Sequence, residues 1–211
     1  MYERMYVRPE DIEKESFRII EDNLKELGIN LNENEAPIIK RVIHTTADFG
    51  FADTLAFAND AIYTAQKLIR GGATIVTDTN MTVAGINKKR IDKYGCKIKC
   101  FMADEDVARE AKERGITRAS VSMERAFLID GPVIFSVGNA PTALMEIHRL
   151  MSENNKKPDF IIGVPVGFVN VEYSKELFRN SDIPYIINFG RKGGSNVASA
   201  IINALTLGME E

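Results

Sequence analysis

What most constrains this chain is an alternation that begins at residue 73. Short apolar, β-branched runs recur at residues 73–77, 96–101, 132–137, 160–164 and 185–189. Each is followed by a polar or glycine-rich turn and then by residues with helical spacing. Most of these runs are continuously apolar rather than alternating, the pattern of strands buried on both faces. Strands that alternate with helices predict a three-layer α/β/α domain around a mainly parallel sheet, here of five strands. No internal repeat, low-complexity segment or linker interrupts the 211 residues, so residues 1–211 are read as a single domain. Hydrophobic residues make up 45% of the chain, which is enough for the core such a domain needs.

The first 72 residues read as extra N-terminal helices packed on that unit. Residues 10–27 form a helix, with Pro9 at its start, Glu10, Asp11 and Glu13 at its positive end, and Gly28 at its stop. Residues 29–36 are loop-like. Residues 37–47 are ambiguous, with a short helix ending near His44 as the preferred reading. The clearest helical spacing is at residues 53–70, where Leu55, Ala58, Ile62, Ala65, Leu68 and Ile69 line one face and Gly71-Gly72 ends the run.

Charge and composition exclude several functions. A net charge of −3 argues against a nucleic-acid partner bound through a basic surface. No apolar run approaches the roughly 20 residues that span a bilayer. The opening Met-Tyr-Glu-Arg leads into no leader-like apolar stretch, so a cytoplasmic protein without a membrane partner is expected. Cys96 and Cys100 have no second pair and no nearby histidine. Buried free thiols, with no metal site, are therefore expected.

In open α/β sheets, ligands bind beyond the carboxyl ends of the strands. The segments predicted there are Asp78-Thr79-Asn80, Gly138-Asn139, Gly163 to Gly167, and Gly190 to Asn196. Glycines let backbone N–H groups approach a ligand, and helix N-termini favour anions. Arg191 and Lys192 add positive charge, which points to an anionic ligand. The last loop is neither a Walker loop nor a dinucleotide fingerprint. Gly193 and Gly194 also fit a plain tight turn. Asp78 fits a catalytic role or a capping and turn role equally well. No Ser-His-Asp order, His-Glu-x-x-His or Cys-x-x-Cys is present.

Only two histidines occur. His44 stands among Val42, Ile43, Thr45, Thr46 and Asp48, so it is either a satisfied structural residue or a proton donor whose neighbours fix its tautomer. His148 falls between Leu144 and Met151 at helical spacing and reads as structural.

Together these segments resemble the precorrin-8X methylmutase family, also called cobalt-precorrin-8 methylmutases. The resemblance runs over nearly the whole chain. It rests on Glu15-Ser16-Phe17, Val42-Ile43-His44-Thr45-Thr46-Ala47-Asp48, Thr77-Asp78-Thr79-Asn80-Met81, Ala84-Gly85-Ile86 and Thr117-Arg118. It continues through Ser136-Val137-Gly138-Asn139-Ala140-Pro141-Thr142-Ala143-Leu144, Gly163-Val164-Pro165-Val166-Gly167-Phe168-Val169 and Gly190-Arg191-Lys192-Gly193-Gly194-Ser195. It implies an isomerase of corrin-ring (vitamin B12) biosynthesis that moves a methyl group from C-11 to C-12 by a 1,5-sigmatropic rearrangement. It also implies doubly wound strand order, no cofactor, a corrinoid polycarboxylate substrate and a homodimer. His44 is expected to donate a proton to the ring C nitrogen. Ser16, Thr45, Thr46, Asp78, Asn80, Met81, Arg118, Asn139, Gly193, Gly194 and Ser195 are expected to bind substrate; Ser16 and Arg118 enter by resemblance alone. Met81, Phe168 and Val169 offer an apolar floor for the macrocycle. The competing readings are a non-catalytic carrier of a tetrapyrrole or other anionic ligand and, behind it, a nucleotide-binding regulator.

Overall fold

The computed structural model describes residues 7–154 and 156–209. The opening Met-Tyr-Glu-Arg lies outside that range. A 3-10 turn (Pro9–Asp11) leads into α1 (Ile12–Glu26), followed by α2 (Ala36–Thr46), α3 (Phe51–Thr54), β1 (Leu55–Ala58), α4 (Ala61–Arg70), β2 (Thr74–Thr77), α5 (Asn80–Gly85), α6 (Lys88–Lys93) and β3 (Lys97–Lys99). Then come α7 (Glu105–Arg114), α8 (Arg118–Phe127), β4 (Val133–Val137), α9 (Pro141–Asn154), β5 (Phe160–Gly163), α10 (Val171–Glu176), β6 (Tyr185–Asn188) and α11 (Ser195–Leu207).

Among the described residues the sheet has six strands in the order β1-β6-β5-β4-β2-β3, all parallel except β1. The five parallel strands are the five apolar runs, in doubly wound order around β2. The sixth strand corrects the sequence expectation. Helical spacing predicts one helix over 53–70, yet Leu55–Ala58 pairs antiparallel with β6, from Leu55↔Asn188 to Ala58↔Tyr185. Asn59 and Asp60, both at φ 54, stop any helix there, and these are residue types that tolerate the left-handed region. The Asn59 amide donates to the Ser181 and Ile183 carbonyls (3.1 and 2.9 Å), fastening this corner to the chain that enters β6. Four residues of helix-compatible sequence are thus drawn into a strand by the open edge of β6.

Side chains alternate across the sheet into two cores. On one face Ile75, Ile134, Ile162 and Ile186 pack against α1, α2, α4 and α11 through Ile20, Val42, Ala65, Val197 and Ile201. On the other, Val76, Phe135, Val137, Ile161 and Ile187 meet α8 and α9 through Met123, Leu144 and Ile147, and also Phe178 after α10. Each fully buried side chain of this size contributes about 1.5–3 kcal/mol relative to exposure. Between β2 and β3 the chain forms two helices rather than one: the Asn87 side chain accepts from the Arg90 N–H (3.2 Å) and restarts the chain as α6. Cys96 is buried, its thiol on the Ile69 carbonyl (3.2 Å); Cys100, expected buried, is only half-buried because it lies just past the end of the short edge strand β3. No helix among the described residues is long and apolar enough to cross a membrane.

Candidate active site

The chain runs from β2 outward to β3 and then returns past β2 to β4, so the strand order switches between β2 and β4. That is where a crevice opens at the carboxyl edge of such sheets. Asp78, the first residue after β2, stands at this point and is fully buried. Its carboxylate accepts the N–H groups of Gly138 (2.8 Å), Asn139 (2.8 Å) and Ala140 (2.6 Å). Burial pushes its pKa up from the usual carboxylate value, against the pull of these three donors. Asp78 therefore ties β2 to the turn before α9 and leaves Asn139 exposed at the rim.

The loop from β6 to α11 lies against the ends of β5 and β4. A Cβ at Gly193 would sit 2.1 Å from the Val164 carbonyl oxygen, and one at Gly138 would sit 2.8 Å from Ser195 Cα. These glycines are required for backbone to meet backbone. The Gly194 N–H donates to the Val164 carbonyl (2.9 Å). The Ser195 hydroxyl shares a hydrogen bond with Thr79 (2.8 Å), whose oxygen also caps the N–H of Thr82 in α5. Asn80 and Met81, in the first turn of α5, are exposed beside it, and Phe168 and Val169 are exposed on the loop after β5.

His44 lies on the helix layer beside this edge, two residues before the end of α2, and is exposed. A groove of about 630 Å³ opens there between α1, α2, α11 and the α5–α6 segment. Phe17, Arg41, His44, Thr45, Asn87, Arg90 and Asn196 are among its lining residues. The imidazole stacks on Phe17 with centroids 5.2 Å apart and planes 12° from parallel. The Arg41 guanidinium lies 4.6 Å from the same phenyl centroid and pairs with Glu13. The hydrogen bond from Arg41, with its charge, holds the Glu13 carboxyl below its ordinary range. Beyond His44, Asp48 pairs with Lys192 (2.7 Å), which joins the end of α2 to the glycine loop.

The expected site residues thus fall into four groups. His44 and Thr45 line the groove. Asp78, Asn80, Met81, Asn139, Gly193, Gly194 and Ser195 gather at the carboxyl edge, with Asp78 turned inward. Thr46 and Ser16 do not line the groove, and their hydroxyls donate within their own helices to Val42 and Ile12 (both 2.8 Å). Arg118 is on the helix layer opposite the groove, in the first turn of α8, where Thr117 donates to Thr142 at the start of α9 (2.9 Å), and its guanidinium is on the Met102 carbonyl (3.4 Å). His148 meets Phe178 edge-on (5.8 Å, 89°) away from the groove. Sequence reasoning missed Phe17 as the partner of His44, and missed Arg41, although Arg41 and His44 are three apart on one helix and so share a face. It also missed Lys175, fully buried in α10. The signal there was a lysine four residues after Val171 and three before Phe178, in line with two buried apolar positions.

A family profile described as precorrin-8X methylmutase matches residues 11–207. A cobalt-precorrin-8 methylmutase of Priestia megaterium is 43% identical over 207 residues, covering 98% of this chain and 91% of the relative. One from Methanocaldococcus jannaschii is 44% identical over 200 residues, covering 92% and 91%. The solved precorrin-8X methyl mutase of Thermus thermophilus superimposes with a TM-score of 0.82 at 34% identity, covering 93% of this chain and 96% of that one. Fold and site define the class: a doubly wound α/β protein with glycine loops gathered at its strand switch and a histidine-bearing groove on one helix layer. Within that class, the chain belongs to the precorrin-8X methylmutase family, a family of isomerases.

Proposed function

We propose that this protein moves a methyl group from C-11 to C-12 of precorrin-8 or cobalt-precorrin-8, yielding hydrogenobyrinate or cobyrinate, with His44 as the proton donor. The observation that carries the catalytic assignment is the exposed His44 ring, stacked on Phe17 in a groove that Arg41, Arg90 and Lys14 also line. The methyl carbon leaves C-11 and joins C-12 with one electron pair, and the conjugated double bonds shift between the two positions. The proton lent to the ring C nitrogen returns to the imidazole, so substrate and product are isomers. Protonation draws electron density from the macrocycle and favours migration. The protein's remaining task is to hold the ring in one orientation.

The substrate's carboxylates call for cations and N–H donors. Lys14, Arg41 and Arg90 supply the first within the groove, and the loops bearing Asn80, Asn139, Gly193, Gly194 and Ser195 supply polar groups at the neighbouring edge. Met81, Phe168 and Val169 offer apolar surface there. Arg118, in the first turn of α8, adds a cation on the far side of the Asn139 turn, where Thr117 meets Thr142 (2.9 Å), and the protein acts as a homodimer in the cytoplasm.

The test is to incubate the protein separately with precorrin-8 and cobalt-precorrin-8 while recording the absorption spectrum. Conversion of the chromophore at protein below substrate concentration supports the reading. A shift that stops at one equivalent makes the protein a carrier, and an unchanged spectrum defeats both.

A further inference from the structure

We propose that Lys175, which no substrate reaches, is a positioning residue for this reaction: its buried ammonium draws two carbonyls of the β6–α11 loop inward and thereby turns the N–H groups of Arg191 and Gly193 outward, toward the substrate's carboxylates. This rests on the methylmutase reading above.

The geometry is specific. Lys175 Nζ donates to the Gly190 carbonyl (2.6 Å) and the Lys192 carbonyl (2.9 Å). In a trans peptide the C=O and the following N–H point in opposite directions. With the Gly190 and Lys192 oxygens turned in, the N–H groups of Arg191 and Gly193 point away from the ammonium. Neither has an acceptor among the described residues. The carbonyl between them is turned differently: Arg191 accepts from the Gly167 N–H (3.2 Å). The buried Asn188 amide also donates to the Lys192 carbonyl (2.9 Å), so the loop is clamped from two sides.

A lysine is a costly device for holding a turn. Burial lowers its pKa to about 8, with the Glu172 charge opposing, so the group still carries its charge at neutral pH. Hydrogen bonds alone would not call for a buried cation, since a neutral amide can bridge two carbonyls, as Asn188 does for Lys192 and Phe189. A full positive charge beneath the loop does something more: it polarises both peptide units and makes their outward N–H groups better donors to an anion. The same loop leads on to Asn196, which lines the groove, and Lys192 is paired with Asp48 four residues beyond His44.

Lys175→Met keeps the length and removes the charge. The full-length variant is assayed for kcat and KM with the substrate that the wild type converts, and its melting temperature is recorded. The expected result is a KM raised at least tenfold, kcat within about threefold of wild type, and a melting temperature unchanged or higher, since a buried charge is often replaced without loss by an apolar group. A folded variant with KM within twofold of wild type overturns the proposal, as does one that loses kcat while KM stays put. If the variant does not fold, amide chemical shifts of the wild type decide. Titration with the reaction product, hydrogenobyrinate or cobyrinate, is expected to move the Arg191 and Gly193 resonances. Saturation that leaves both unmoved overturns the proposal. A wild type that converts neither substrate removes the methylmutase reading itself, and this proposal with it.

Discussion

The carboxyl edge and the His44 groove adjoin each other and are made of opposite materials. At the edge, backbone meets backbone: Gly193 lies against Val164, Gly138 against Ser195, and Asp78 is spent on three main-chain N–H groups. The groove is walled by side chains from the exposed faces of helices, with Phe17, Arg41 and His44 held by stacking and by an ion pair at the surface. An edge built this way keeps its shape and tolerates no added atom. A groove built this way tolerates substitution structurally and loses chemistry instead.

That contrast predicts a split between activity and stability, and the largest effect belongs to the groove. His44→Ala is expected to slow single-turnover rearrangement by about 10²–10⁴-fold, the usual worth of a general acid. Its melting temperature should stay close to wild type, because the ring is exposed. A folded variant with substrate bound and a rate within a few-fold of wild type would remove His44 from the chemistry.

Gly193→Ala is the counterpart at the edge. Its Cβ has no room beside the Val164 oxygen, so urea denaturation should show a loss of about 3 kcal/mol or more, or no folded protein. Full stability in this variant would mean that the edge is far more pliant than its contacts imply.

Next in size is a dependence on pH. The folded-state pKa of Lys175 is lowered to about 8, below its unfolded value. Below pH 8 both states are protonated and the cost of burying the charge is complete. Between pH 8 and roughly 10.5 the unfolded chain binds more protons, so this group makes stability rise with pH, by about 1–3 kcal/mol. Tyr185 is shifted upward by burial and works in the opposite sense, so the measurement to make is the difference between wild type and Lys175→Met across that range. Wild type should gain stability relative to the variant as pH rises; a flat difference would place the ammonium in contact with water.

The smallest effect is at Ser136, on β4, whose fully buried hydroxyl has no hydrogen-bond partner among the described residues. Ser136→Ala should be neutral or stabilising by up to about 1 kcal/mol. A loss of more than that would reveal a bound water or ligand at the hydroxyl.

β2, β4, β5 and β6 were legible in the sequence because strands buried on both faces leave unbroken runs such as Phe160-Ile161-Ile162. β1 was not, since Leu55-Ala56-Phe57-Ala58 carries no such mark and became a strand only by meeting β6. His44 was legible as the one histidine among hydroxyls, and the glycine loops as the segments following strands. The stack of Phe17 on His44 joins residues 27 positions apart and depends on how α1 crosses α2, which no local pattern encodes. Arg118 sat beside a family motif in sequence, yet α8 belongs to the other layer. The carboxylate of Asp78 had two equally good sequence readings, and only the distances to Gly138, Asn139 and Ala140 show where its oxygens are directed.

The two outermost strands of the sheet have a further consequence, for behaviour in a crowded solution. β3 is three residues long and exposes Lys97 and Lys99, while β1 is four residues long and runs against the direction of the rest. An approaching chain that sought to extend the sheet would find a very short ladder at either side, with two ammonium groups beside one of them. Short, charged borders of this kind discourage fibre-like stacking. Any lasting pairing of two copies must therefore be made by helices and loops, and the protein can be concentrated without its sheet becoming a template for aggregation.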